Sequence, residues 1–170
     1  MRISNIALIL FFAANWVIAA GPEFGRAATA DEIAAIDISI PPGGEGLPPG
    51  SGNAAAGEVV YSEKCASCHA EGGTGKPADK LVGGIGSLGS AKPVKSVGSF
   101  WPYATTLFDY IRRSMPLDAP MTLTDDEVYA VTAYVLELNG IVEREQTMNA
   151  ESLPNVRMPN RDGFLSLIHI

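Results

Sequence analysis

Two cysteines three positions apart, followed directly by a histidine, form the stretch of this sequence that points most clearly to chemistry. The stretch is Cys65-Ala66-Ser67-Cys68-His69. Two thiols at this spacing can form thioethers with the two vinyl groups of one porphyrin, and the adjacent imidazole can then bind the iron. The pattern therefore predicts one covalently bound haem c, with His69 as the proximal axial ligand.

The same cysteines have two alternative interpretations, a redox or structural dithiol pair and half of a zinc site. A structural zinc site needs four protein ligands, so about two more Cys or His would be required. The chain has two cysteines and two histidines in total, and the second histidine, His169, lies at the penultimate position. These counts favour haem c over zinc, and His169 is not expected to bind the iron.

A histidine that binds a metal usually donates its second ring N–H to a carbonyl or carboxylate, which fixes the orientation of the ring. The P-x-x-x-L-x-G-G stretch from Pro77 to Gly84 follows His69 closely enough to pass beneath it. We expect a backbone carbonyl near this stretch to accept that proton, and the sequence does not identify which one.

Met115 is the expected distal ligand, because it directly precedes Pro116. Proline disfavours helical backbone at the residue before it, so the preceding helix should end here and leave the methionine in an extended loop. A thioether is a soft donor that raises the potential of a His-ligated haem. Met121, six positions further on, is the alternative ligand.

An aromatic cluster, Phe100-Trp101-Pro102-Tyr103, precedes a helix expected over residues 104–114. Leu107, Tyr110 and Ile111 are expected to point inward from this helix. Buried Trp and Tyr side chains need acceptors for their N–H and O–H groups, and the propionates of a haem would be strong acceptors. Trp101 and Tyr103 are therefore candidate haem contacts. Simple core packing is the alternative for both.

A first helix is expected over residues 54–64, with Asn53 as its N-cap. This helix would deliver Cys65 to the haem. Gly57 and Tyr61 lie four positions apart and share one face, so a second helix could approach closely at the glycine.

The last helix has the clearest boundaries in the sequence. Thr124 and Glu127 form a capping box, and Gly140 stands where helices commonly end. Tyr134 lies on a face that could meet Gly57. The apolar face is spaced by three, four and three residues, at Val128, Val131, Val135 and Leu138.

The rest of the chain suggests a leader, an arm and a tail around this domain. An apolar run followed by Ala28-Thr29-Ala30 predicts a cleaved signal peptide over residues 1–30, and hence a periplasmic protein. Residues 31–52 are a Pro/Gly-rich extended arm, and residues 53–140 are the folded domain. Residues 141–170 are expected to trail over the surface as a tail whose abrupt apolar end suggests a truncated terminus.

The charge of the chain restricts its partners. The formal net charge is −7, and residues 31–170 alone carry −8. This acidic balance argues against a nucleic-acid partner and favours docking to a basic protein surface.

With these elements in place, residues 53–140 resemble a class I cytochrome c. The resemblance implies an all-α fold wrapped round one haem c, with long loops. Cys65, Cys68, His69 and Met115 stand where that family has its attachment and ligand residues.

Four runs, GEGLPPGSG, FWPYATTLFDYIRRSMP, LTDDEVYAVTAYVLELNGIV and MPNRDGF, are further similar to cytochrome c subunits of periplasmic sulfite and sulfur dehydrogenases. This resemblance implies a protein that is not an enzyme by itself. It would accept electrons from a molybdenum-containing sulfite or sulfur dehydrogenase subunit and pass them to a downstream cytochrome c or oxidase. A free-standing electron shuttle is one alternative. A haem enzyme with an open sixth position is another, and Met115 and Met121 count against it.

Overall fold

The computed structural model describes residues 24–165. The chain divides into two units, Met1–Ile36 and Asp37–Ile170. In the first, helix α1 (Ala30–Ile36) has no buried residue, and Thr29 caps it by accepting a hydrogen bond from the backbone N–H of Glu32 at 3.2 Å. Most of the predicted signal peptide, and His169, lie outside the described residues. Within those residues, no helix combines the length and apolar character that a membrane span requires.

The second unit confirms the all-α prediction. Its helices are α2 (Ala54–Lys64), α3 (Ala66–His69), α4 (Val97–Phe100), α5 (Ala104–Ser114) and α6 (Asp125–Leu138). Two short strands, β1 (Ser51–Gly52) and β2 (Met148–Asn149), pair antiparallel. Short 3₁₀ turns occur at Glu71–Gly73 and Leu153–Asn155.

Helices α2 and α6 cross in contact at Gly57. A Cβ atom added to Gly57 would lie 1.9 Å from the carbonyl oxygen of Ala130, so only glycine permits this approach. One turn further along, the rings of Tyr61 and Tyr134 pack with their centroids 5.2 Å apart. Nearby, Lys64 Nζ lies 3.0 Å from a carboxylate oxygen of Glu127 and joins the two helices at the surface. The predicted contact between the first and last helices is confirmed.

The helix ends follow their local sequence signals. Asn53 Oδ1 accepts a hydrogen bond from the backbone N–H of Ala56 at 3.0 Å, and Thr124 and Glu127 form the expected capping box. Gly140 has φ of +66°, the left-handed conformation that ends helices at glycine. The start of α2 and both ends of α6 therefore depend on residues within a few positions of each end.

Helix α6 is the centre of the hydrophobic core, since nine of its fourteen residues are buried. Phe108 of α5 packs on Tyr129 of α6 with ring centroids 4.5 Å apart. Leu107 and Ile111 are buried as the periodicity predicts, whereas Tyr110, also expected to point inward, is 45% exposed. The prediction for Tyr110 is wrong because its ring lies edge-on against Trp101, whose side chain is itself half-buried.

Residues 37–52 of the Pro/Gly-rich arm lack helix and pack on the helices of the second unit, whereas residues 31–36, predicted to be extended, belong to α1. The backbone N–H of Ile40 donates to Asp109 Oδ1 at 2.9 Å, and the hydroxyl of Thr105 donates to the carbonyl of Pro42 at 3.1 Å. The buried hydroxyl of Tyr129 donates to the carbonyl of Pro48 at 2.9 Å. These bonds fix residues 40–48 along α5 and α6.

The prediction that the segment after α6 trails over the surface is wrong. Strand β2 pairs with β1, and the backbone N–H of Ala54 donates to the carbonyl of Arg144 at 3.2 Å. Isolated apolar residues along an otherwise polar segment reach the core, which the lack of a regular period concealed. Those buried are Val142, Met148, Leu153, Val156 and Met158.

Candidate haem-binding site

The two thiols and the imidazole are placed by one tight turn at the end of α2. Cys65 ends that helix, with its N–H donating to the carbonyl of Tyr61 at 2.9 Å. The carbonyl of Cys65 then accepts bonds from the N–H groups of Cys68 and His69, at 3.1 and 3.0 Å. This single helical turn of α3 holds all three side chains of the attachment motif close together.

A backbone carbonyl orients the imidazole of His69. Nδ1 lies 2.8 Å from the carbonyl oxygen of Asp79, which can only accept, so Nδ1 bears the proton. In a neutral imidazole the other nitrogen, Nε2, then has a free electron pair for a metal. Asp79 lies within the stretch from Pro77 to Gly84, where the acceptor was expected.

A short network of backbone bonds holds Asp79 in this position. The N–H of Ala78 donates to the carbonyl of Cys68 at 2.8 Å, and the N–H of Gly75 donates to the carbonyl of His69 at 2.8 Å. Gly75 has φ of +88°, and a Cβ there would lie 2.8 Å from the nitrogen of Lys80. The loop therefore needs glycine at position 75 to return beneath the imidazole.

The two cysteines differ in their surroundings. Cys65 is half-buried, whereas Cys68 is exposed, and no disulfide joins them. Burial, followed by the nearby Cys68, raises the pKa of Cys65 to about 11, with Lys64 acting weakly in the opposite direction. At neutral pH this sulfur is therefore a thiol.

The two candidate distal ligands also occupy different positions. Met115 is the C-cap of α5, with extended backbone (φ −122°, ψ 142°), and its half-buried side chain packs against the core. Met121 is 60% exposed and has φ of +62°. Met148 and Met158 are buried in the core. This arrangement favours Met115 over Met121 as a fixed ligand.

The aromatic candidates each have a protein neighbour. Trp101 packs edge-on against Tyr110 with centroids 5.7 Å apart, and the guanidinium of Arg161 lies 4.1 Å above the ring of Tyr103. Within residues 24–165, neither the Trp101 N–H nor the Tyr103 O–H donates to a protein acceptor. Their contact with propionates stays a prediction. Arg161 was missed, because its position depends on the packing of the C-terminal segment.

The donor set fits a haem c. One turn presents two thiols and an imidazole that is already oriented for a metal, and a thioether is held in an extended loop after α5. In the described part of the chain, no group of three or more His, Cys, Asp or Glu side chains is arranged to hold a metal ion. Two thiols, one oriented imidazole and one thioether are the donors by which a protein holds a haem and its iron.

The fold and this donor set define a class I cytochrome c. Residues 52–135 match the family model described as cytochrome c oxidase, cbb3-type, subunit III. More particularly, the chain is similar to a chain of the sulfane dehydrogenase SoxCD from Paracoccus pantotrophus. The identity is 43% over 84% of this chain and 71% of that one, with a TM-score of 0.78. The chain belongs to the cytochrome c family.

Proposed function

We propose that this protein binds one haem c, through thioethers to Cys65 and Cys68 and through His69 to the iron, and that it acts as an electron carrier. The observation that supports this most directly is the 2.8 Å bond between His69 Nδ1 and the carbonyl of Asp79. It fixes the tautomer and the ring orientation that an axial histidine requires. A bound haem supplies one-electron redox chemistry, and the protein itself is not an enzyme.

The chain's own residues would set the properties of that haem. The carbonyl of Asp79 holds the proton on Nδ1 and so raises the basicity of Nε2. Met115 would supply the distal thioether, because its backbone is held by a hydrogen bond from its N–H to the carbonyl of Ile111 at 3.0 Å. Two protein ligands would leave no open position for a substrate, which disfavours a haem enzyme.

Attachment is tested by denaturing the protein after expression in cells that mature c-type haem. Thioether bonds survive denaturation, so the polypeptide band should stain for haem peroxidase activity. A Cys65→Ala, Cys68→Ala double variant should lose the stain. Extraction of the haem from the unmodified protein by acid acetone would contradict the proposal.

The distal ligand is tested by two matched variants, Met115→Ala and Met121→Ala. Met115→Ala should abolish the weak near-infrared band of ferric His/Met haem and lower the reduction potential, because the soft thioether is lost. Met121→Ala should leave both nearly unchanged, since that side chain is 60% exposed. The reverse result would assign the ligand to Met121.

The proposed electron donor is a molybdenum-containing sulfite or sulfur dehydrogenase subunit, and the acceptor is a downstream cytochrome c or oxidase in the periplasm. The 43% identity to a chain of a sulfane dehydrogenase supports a partner of this class. The test is reduction of the haem by sulfite or a sulfane donor in the presence of the co-expressed molybdenum subunit. Failure of both donors would overturn this assignment and leave the haem-binding proposal intact.

A further inference from the structure

The positive charge of this acidic protein is concentrated in one part of the chain. Residues 72–108 contain four lysines, one acid and no arginine, a net charge of +3, whereas the remaining residues sum to −10. The lysines are Lys76, Lys80, Lys92 and Lys95, and together they are called the lysine surface below. The total charge of −7 therefore does not describe this region.

Three of these lysines meet around one surface cavity of about 610 Å³. Its lining comes from two segments, Thr74–Lys80 and Pro93–Lys95, which bring Lys76, Lys80 and Lys95 together. Lys92 precedes the second segment directly. Asp79 is the acidic residue in the lining, so the cavity is strongly basic.

The lysine surface is not neutralised by the protein itself. All four lysines are exposed, and within residues 24–165 none forms an ion pair. Among the other cations of this range, Lys64 pairs with Glu127, whereas Arg161 lies over the ring of Tyr103 and forms no ion pair. Five arginines each pair with a carboxylate: Arg26, Arg112, Arg113, Arg144 and Arg157.

The loop that presents Lys92 and Lys95 is folded. The N–H of Val94 donates to Ser87 Oγ at 3.0 Å, and the hydroxyl of Ser99 donates to the carbonyl of Val94 at 2.6 Å. Ile85, in the same loop, is 53% exposed. These hydrogen bonds hold the backbone next to Lys95 in place.

This surface is directly connected to the proximal ligand. Asp79 lines the cavity, and its carbonyl oxygen accepts the hydrogen bond from His69 Nδ1. A protein that docks in the cavity would therefore touch the residue that is bonded to the imidazole. Docking at this place would bring a redox partner close to the haem that the proposed function requires.

We propose that the lysine surface docks an acidic electron-transfer protein, although the chain as a whole is acidic. This inference rests on the proposed function. Partner carboxylates would find four exposed ammonium groups that form no ion pair within residues 24–165, and complementary charges raise the association rate more than the affinity. The net charge of the whole chain favours a basic partner, whereas the local charge of the lysine surface favours an acidic one.

Two inorganic oxidants of opposite charge measure the local field. The haem-loaded protein, once reduced, is mixed in a stopped-flow instrument with hexacyanoferrate(III) or with tris(1,10-phenanthroline)cobalt(III). Oxidation by the anion should slow as salt rises, and oxidation by the cation should accelerate, because salt screens attraction and repulsion alike. The opposite salt dependence would mean that the net charge governs approach, and would overturn the proposal.

A protein probe and matched variants test docking itself. Plastocyanin, an acidic copper protein, serves as the oxidant for Lys76→Gln/Lys95→Gln and for Arg144→Gln/Arg157→Gln, which change the net charge equally. At low salt the lysine pair should slow the reaction about threefold to tenfold, and the arginine pair less than twofold. Equal slowing by both pairs would overturn the docking site.

Two further outcomes separate this proposal from others. If sulfite binds the cavity saturably and the lysine variants react normally with plastocyanin, the cavity is a small-anion site and the docking proposal is wrong. If the unmodified protein exchanges electrons with none of the three oxidants, the proposed function fails as well.

Discussion

Residues 74–95 and residues 141–165 are both irregular, polar segments, yet their side chains have opposite roles in the molecule. In the first, all four lysines and Ile85 are exposed, and the loop orients His69 through Asp79. In the second, isolated apolar side chains are buried, and Met148 and Leu153 are fully inaccessible. One segment presents chemistry and charge, and the other completes the core.

The difference lies in how each segment is held. Residues 141–165 are fixed by single apolar residues that enter the core, with strand β2 paired to β1. Residues 74–95 are fixed by hydrogen bonds and by glycines with positive φ, such as Gly75 and Gly84. A loop that is held by hydrogen bonds can leave its charged side chains in water. A segment that is held by core contacts must bury its apolar side chains.

The largest predicted effect is the loss of a core residue from the C-terminal segment. Met148→Ala should lower the free energy of unfolding by about 2 to 5 kcal/mol, because a fully buried side chain leaves a cavity. Ile85→Ala, at a 53% exposed position of the lysine-rich loop, should change it by less than about 0.5 kcal/mol. Urea unfolding of the haem-loaded protein measures both variants. Equal losses would show that the two segments do not differ in this way.

Sequence signals predicted the parts of the fold that depend on near neighbours. Asn53, Thr124 and Gly140 lie at the ends of the helices they terminate, so α2 and α6 could be located to within a residue or two. Burial of Met148 could not be predicted, since it depends on pairing with Gly52, 96 positions away. A side chain that is buried by a distant partner leaves no periodic pattern in its own segment.

The site was predictable in the same uneven way. The motif from Cys65 to His69 can be recognised from the sequence alone, because its spacing is fixed by the porphyrin. The carbonyl that orients His69 could be predicted only as lying near residues 77–84. Its identity could not be predicted, because the backbone path depends on residues in the left-handed conformation, such as Gly75. The lysine surface was missed because charge was summed over the whole chain.

A smaller loss of stability is expected when a substitution strains the loop beneath His69. Gly75→Ala places a Cβ in a left-handed conformation and against Lys80, and should cost about 1 to 2 kcal/mol of stability. If the loop shifts, the bond from His69 to Asp79 weakens, and the reduction potential should rise because the imidazole becomes a less basic ligand.

Gly89→Ala is the matched control for that change. Gly89 does not have a positive φ, and a Cβ there would have no neighbour within 4 Å. Its stability and potential should stay within error of the unmodified protein. If both glycine variants behave alike, the loop does not need the conformation seen at Gly75.

The smallest effect concerns the acid side of the stability curve, and it tests the scaffold that supports both segments. The capping bond from the N–H of Thr124, followed by the side chain of Lys64, lowers the pKa of Glu127 from its ordinary value of 4.5. A carboxyl group with a lowered folded-state pKa stabilises the protein above its unfolded pKa, and that contribution is lost as pH falls through the folded value. Glu127→Gln should therefore be less stable than the unmodified protein at pH 7, by about 0.5 to 1 kcal/mol.

The gap between Glu127→Gln and the unmodified protein should shrink as the pH falls below about 4.5, and it should close below the lowered folded-state pKa of Glu127. Lys64→Met separates the two causes, because it removes the ion pair at 3.0 Å and leaves the capping bond in place. Since the capping bond remains, Lys64→Met should retain part of the pH-dependent stability. Urea unfolding between pH 3 and 7 measures all three proteins. Parallel curves for Glu127→Gln and the unmodified protein would show that this carboxylate does not stabilise the crossing of α2 and α6.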